Sequence, residues 1–167
     1  MKKICIYSED ENFVGHIYNM IKILDLDLDL DCSRENTLAN SEYIVINRDI
    51  NFEYDGIDCE YCFINMDLFK NKNVDIKGVV ITYGLGNKNT ITLSSLEQEN
   101  IGIVYCIQRY ISIYNENIIE PQEIPLNIYY EDENYLYAYM VIITIALIQG
   151  VHISNIKSKI INSINKF

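Results

Sequence analysis

Three groups of residues in this sequence have types and spacings that could do chemistry. Cys59-Glu-Tyr-Cys62 has the spacing of a metal-binding or redox pair. Asp25, Asp27 and Asp29 have the opening spacing of a calcium loop, and the acidic run Glu9-Asp10-Glu11 follows a short apolar stretch where a charged loop could meet a ligand. The cysteine pair has no second pair and no nearby histidine to complete a zinc site, and no helix N-terminus to lower a thiol pKa, so it is expected to be structural and metal-free. The calcium reading fails at its own positions: the sixth is Leu30 where a glycine is needed, and the twelfth is Asn36 where a bidentate glutamate is needed. His16 and His152 have no serine or cysteine nucleophile beside them, Ser94-Ser95 reads as the end of a strand, and nothing resembles a nucleophile elbow. No catalytic residue, metal ligand or cofactor ligand is assigned.

The stronger lead is tyrosine. Of fourteen tyrosines, Tyr129, Tyr130, Tyr135, Tyr137 and Tyr139 cluster just before and within an apolar helical stretch. Tyrosine joins a large apolar ring to a polar tip, which suits recognition surfaces, so these five are the candidate interaction surface for a protein partner or a second copy of the chain.

The elements that must position these residues follow from periodicity. Lys3 to Tyr7 reads as a buried parallel strand, and Phe13, Ile17, Met20, Ile21 and Leu24 fall on one helical face. Leu24 to Asp31 alternates leucine and aspartate, which predicts an edge strand with one solvated, charged face. Glu42 to Asn47 and Tyr61 to Asn65 are buried strands, joined through polar connections over 33–41, 51–58 and 71–75. The run Val79 to Thr82 ends in Tyr83-Gly84-Leu85-Gly86, a turn at which Gly84 should adopt a conformation that a Cβ would strain. Strands at Thr90 to Ser95, Ile101 to Gln108 and Ile124 to Tyr129 are expected to be antiparallel. A helix with Leu136, Met140, Ile143, Thr144 and Leu147 inside stops at Gly150, and Ser154 can start a second with Ile156, Ile160, Ile164 and Phe167. The fold class is α/β: a mostly parallel, Rossmann-like or P-loop-like sheet with helices, a small antiparallel extension and a C-terminal helical pair, in one domain over 1–167.

At a net charge of -11, phosphate backbones and anionic lipid surfaces are repelled, so neither nucleic acid nor membrane is an expected partner. Glu9-Asp10-Glu11 ends the first apolar run too early for a signal peptide, and Met140 to Ile148 is half a bilayer span, so a cytoplasmic protein is expected. Five cysteines, an odd number, fit free thiols.

Phe63-Ile64-Asn65-Met66-Asp67 resembles the V-V-N-A-D segment of the central domain of the ATP-dependent Mur ligases, and Val80 to Leu85 resembles the V-I-T-Y-G-L strand and turn that follow it. Tyr137 to Gly150, with His152-Ile153-Ser154-Asn155-Ile156 after it, is similar to that family's N-A-L-A-A-I-A-V-A-L-x-L-G helix and the next one. The resemblance covers roughly residues 60–167 and implies a nucleotide-binding fold. The first 24 residues lie on the family's opening strand, phosphate loop and helix, but the loop is Ser8-Glu9-Asp10-Glu11-Asn12-Phe13-Val14, with Phe13 and Val14 at the lysine and threonine positions. A phosphate loop needs glycines, a lysine and a hydroxyl on Mg²⁺, and none is present. Asn134, Tyr135 and Ala138 stand where the family has its H-N-x-x-N nucleotide contacts, and Asp25 to Glu60 holds no match for its Mg²⁺-binding residues. The resemblance therefore implies a degenerate, non-catalytic module without cofactor, acting through protein contacts as an accessory or regulatory element of cell-wall metabolism. The alternative is an atypical receiver-like signalling domain with Glu9 and Asp10 as its acid pair, in which Asn47 takes the place of the phosphoacceptor and Asp49 comes two residues late.

Overall fold

The computed structural model of the protein describes residues 1–32, 41–50, 56–70, 74–96, 101–113 and 117–164. The polar connections expected over 33–41, 51–58 and 71–75 lie largely outside these residues, as do Asn36 and Phe167.

The chain builds an eight-stranded mixed sheet with helices packed on one face. Its elements are β1 (Lys2–Ser8), α1 (Glu11–Leu24), β2 (Leu28–Cys32), β3 (Tyr43–Asn47), β4 (Ile57–Asn65), β5 (Ile76–Tyr83), β6 (Ile91–Leu96), β7 (Ile101–Ile107), β8 (Ile111–Ile113), β9 (Asn117–Ile119), β10 (Gln122–Tyr129), α2 (Glu133–Ile148) and α3 (Ile153–Ile164). The sheet runs β10-β7-β6-β5-β4-β3-β1-β2, parallel from β2 to β6 and antiparallel beyond, with β8 and β9 as a separate antiparallel pair.

Local sequence explains each early element. Asp10 caps α1, its carboxylate accepting from the Asn12 and Phe13 amides, and Asp25 ends the helix in the left-handed conformation at φ 54°. The Leu-Asp alternation forms the expected edge strand, but it starts at Leu28, because Leu24 still belongs to the helix. Its aspartates face solvent: Asp27 lies 3.6 Å from the N-terminal ammonium, and Asp25 and Asp29 are exposed.

Two features depart from the sequence expectation. The strand after the Tyr83–Gly86 turn is parallel to β5, joined through the single pair Tyr83↔Ile91, and the antiparallel part begins one strand later, at β6 and β7. A sideways step by one strand position leaves no mark in alternation, which is the same for either direction. The second feature is a bulge. Ile57 and Asp58 pair with Ile76 and Lys77, yet Tyr61 pairs with Val79, so Cys59 and Glu60 together oppose Gly78.

The main core lies between the sheet and the helices and takes Ile4 and Ile6 of β1, Tyr61 and Phe63 of β4, and most of α2. α2 is buried almost all round, so the inner face expected from Leu136, Met140, Ile143 and Thr144 is only part of what is covered. A smaller cluster on the opposite face contains Cys5, Tyr7, Ile44, Ile46, Cys62 and Ile64. Gly150, at φ 80°, stops α2, and the His152 ring accepts the Ser154 amide at the start of α3. Among the described residues no helix is long and apolar enough to cross a membrane.

Candidate functional site

In a parallel sheet, ligands bind beyond the carboxyl ends of the strands, at the point where successive connections leave in opposite directions. Here that point lies between β1 and β3, because β2 is placed on one side of β1 and β3 on the other. Two clefts open there. One, of about 510 Å³, is lined by Ser8, Glu9, Asp10, Glu11, Val14 and Arg48 among others; the second, of about 630 Å³, runs from Glu9 and Asp10 past Asn47 and Asp49 to Asp132, Glu133 and Tyr137.

The floor of this rim is a hydrogen-bond network set by strand register. Parallel pairing brings the ends of β3, β4 and β5 level, so Asn65 donates its side-chain amide to Asn47 Oδ1 at 2.8 Å and Tyr83 donates its hydroxyl to the same oxygen at 3.0 Å. Asn65 Oδ1 accepts the Asp67 amide at 3.0 Å. Asp67 Oδ2 in turn accepts the Leu85 amide at 2.7 Å and the Tyr137 hydroxyl at 3.0 Å, tying the β4 and β5 loops to α2. Burial foremost, then the Asp67 carboxylate, pushes the Tyr137 phenol well above its ordinary range. Tyr83, fully buried, is pushed up by desolvation in the same way.

The α1 N-terminus, where the backbone amides of a nucleotide-binding loop would hold phosphate, is filled by the chain itself. Asp10 Oδ1 accepts from Asn12 N at 2.8 Å and Phe13 N at 3.2 Å, and Asp10 Oδ2 accepts from the Asn134 side chain at 2.8 Å. Phe13, at the overlaid lysine position, points into the main core with no exposed surface. Arg48 is the one basic residue among those lining the clefts; it lies 3.5 Å from Glu9, and its Nε is buried without a partner. The rim around it carries Glu9, Asp10, Glu11, Asp49, Asp132 and Glu133. The acid pair of the receiver reading is thus engaged differently at its two members: Asp10 is a helix cap, while Glu9 faces Arg48. Removing the cap with Asp10→Ala is expected to cost about 1–2 kcal/mol in urea unfolding, with Asp10→Asn much closer to wild type because asparagine caps equally well.

The five tyrosines separate. Tyr130 is buried in the core, and Tyr137 turns toward Asp67. Tyr129, Tyr135 and Tyr139 line a groove of about 430 Å³ with His16 of α1, whose ring centroid is 3.6 Å from that of Tyr135. His16, which has no nucleophile beside it in sequence, is placed against Tyr135 of α2 by the packing of the two helices. Its i, i+4 relation to Met20 on α1 is a sequence signal for the groove.

Cys59 and Cys62 come together as well, although residues three apart on a regular strand face opposite sides. The bulge reverses the alternation between them, so Ile57, Cys59, Cys62 and Ile64 all pack on the smaller cluster. Their thiols hydrogen-bond to each other, which holds Cys59 below its ordinary range and pushes Cys62 up. Gly78 is the sequence signal for this, a glycine inside a β-branched run. A Cβ there would collide with the Cys59 carbonyl oxygen. Among the described residues, no group of three or more His, Cys, Asp or Glu side chains is arranged to hold a metal ion.

The parallel sheet, the helix after β1, the Tyr83-Gly84 turn over an aspartate and the closing helical pair define a Mur-ligase-like α/β fold. Among solved structures it is similar to MurF from Acinetobacter baumannii, with a TM-score of 0.56 at 9% identity over 95% of this chain and 45% of that one. The chain spans less than half the length of that neighbour, and at such identity the likeness establishes the fold alone. No family model matches the sequence, and no curated protein matches it.

Proposed function

We propose that this chain is a non-catalytic Mur-ligase-like module that acts through contact with a protein partner, as an accessory or regulatory element of cell-wall metabolism. The observation that carries the reading is the Asp10 carboxylate seated on the α1 N-terminus. A triphosphate approaching that position meets a fixed negative charge where a nucleotide-binding loop offers free amides, with Glu9 and Glu11 beside it. At the effective dielectric of a protein surface, each such like-charge contact is worth on the order of a few kcal/mol. The cell-wall assignment rests on the likeness to a Mur ligase fold. The groove lined by Tyr129, Tyr135 and Tyr139 supports the contact reading, since aromatic side chains with polar tips are enriched where proteins recognise one another.

Isothermal titration with millimolar Mg²⁺-ATP is expected to show no heat of binding, for the wild type and for Asp10→Ala alike. Saturable binding with a sub-millimolar constant in the wild type would overturn the non-catalytic reading.

A further inference from the structure

The groove on the helical side of the sheet has a composition more specific than a generic apolar patch. Four aromatic rings line it: Tyr129 at the end of β10, Tyr135 and Tyr139 one turn apart on α2, and His16 on α1. Apolar residues such as Met20 and Ala138, with the polar Asn19 and Ser163, complete it, and no lysine or arginine is among the lining residues. At the end of the groove nearest the α2 N-terminus the charges are carboxylates: Asp132, Glu131 and Asp10 act electrostatically on His16, and Glu131 and Asp132 act on Tyr135, while Lys159 at the α3 end is engaged by the Leu24 carbonyl. Partial burial holds His16 below its ordinary pKa against those carboxylates, so at neutral pH it adds no positive charge to the groove. An aromatic face carries negative potential and attracts an ammonium group placed over it. A carboxylate or phosphate ligand entering beside His16 and Tyr135 would meet like charge.

We propose that this groove receives the alkylammonium end of a lysine side chain offered by a protein partner, the ring faces holding the charge and the apolar floor holding the methylene stem. The inference rests on the partner-contact reading above and names the chemistry that is recognised. Charge complementarity selects the occupant: carboxylates stand beside the His16 and Tyr135 end of the groove, and the chain as a whole carries -11.

The test uses the full chain and small probes, followed by ¹H-¹⁵N chemical shifts. n-Butylammonium reproduces the lysine side chain, butan-1-ol is its neutral counterpart, and butyltrimethylammonium carries the same stem on a quaternary nitrogen. Expected is saturable, millimolar binding of n-butylammonium with shifts confined to His16, Tyr129, Tyr135 and Tyr139, and binding of butan-1-ol weaker by about five- to tenfold, the size of a cation–aromatic contact. Tyr135→Leu should abolish that preference, and Tyr129→Leu, at a half-exposed position, should reduce it with the fold intact. Tyr110→Leu, at an exposed tyrosine away from the groove, should leave it unchanged. Equal binding of alcohol and ammonium, or no shifts at the groove at tens of millimolar, would overturn the proposal. A marked preference for the quaternary probe would also overturn it, because the group selected would then be a methylated amine and not the primary ammonium of lysine. None of these probes reads the α1 N-terminus, so a failure here stays distinct from a failure of the Mg²⁺-ATP result.

Discussion

Gly84→Val is expected to cost about 3 kcal/mol of folding stability, the sum of backbone strain and a displaced hydrogen-bonding partner. For a chain of this size that corresponds to a melting temperature lower by roughly 6–12 °C. Gly84 sits at φ 150°, a conformation that side chains with a Cβ rarely adopt, and a Cβ built there lies 2.7 Å from Asp67 Oδ1 and 2.8 Å from its Cγ. Asp67 cannot simply move aside, because it holds the Leu85 amide and the Tyr137 hydroxyl together. The substitution therefore breaks the link between the β5 turn and α2 as well as straining the backbone. Gly86→Ala, two residues on, is the control: its nearest contact would be Asn89 Nδ2 at 3.6 Å, ordinary van der Waals distance, so it should stay within about 0.5 kcal/mol of wild type. Differential scanning calorimetry of the two variants decides the matter. If Gly84→Val melted with the wild type, the Asp67 bridge would not be holding the rim.

The second large effect is expected at Asn65. This side chain is 0% exposed and satisfies two groups at once, donating to Asn47 and accepting from the Asp67 amide. Asn65→Leu keeps the approximate shape and removes both bonds, leaving the buried Asn47 side-chain oxygen short of one donor and the part-buried Asp67 amide without its acceptor. The expected loss is about 2–4 kcal/mol in denaturant unfolding, more than one hydrogen bond contributes, because unmet buried groups keep their desolvation penalty. Tyr83→Phe, which removes the hydroxyl's 3.0 Å bond to Asn47 Oδ1 and its longer 3.4 Å contact with the Ile46 carbonyl, should cost about 1 kcal/mol. Both bonds end on the same oxygen, so the double variant should depart from additivity by at least about 0.5 kcal/mol. Strict additivity, or a stabilised Asn65→Leu protein, would mean that the network is not cooperative.

Much of the scaffold could be read from local pattern. The helical face from Phe13 to Leu24, the buried strands ending at Asn47 and Asn65, the Leu-Asp edge strand and the stop at Gly150 are each written in a few neighbouring residues, through periodicity and capping chemistry. The strain expected at Gly84 was legible for the same reason, since a glycine between a β-branched run and a second glycine marks a turn. The negative charge of the loop after β1 could also be read from its residue types alone.

What tertiary structure decided is which of these residues meet. Asp10 and Asn134 lie 124 positions apart, and only the packing of α1 beside α2 joins them into the cap that occupies the helix N-terminus. The tyrosine cluster divided between core and groove because α2 is apolar on nearly every side: periodicity finds no single inner face there, and the neighbouring layers choose which rings are covered. A regular strand would put Cys59 and Cys62 on opposite faces, and one extra residue opposite Gly78 puts them on the same one. The direction of β6 was set by a single pairing with Tyr83, a contact between strands that no local pattern encodes. Sequence by itself determined the elements and the sign of the charge at the rim; register, bulge and helix packing determined the site, because those depend on the distances between residues far apart in the chain.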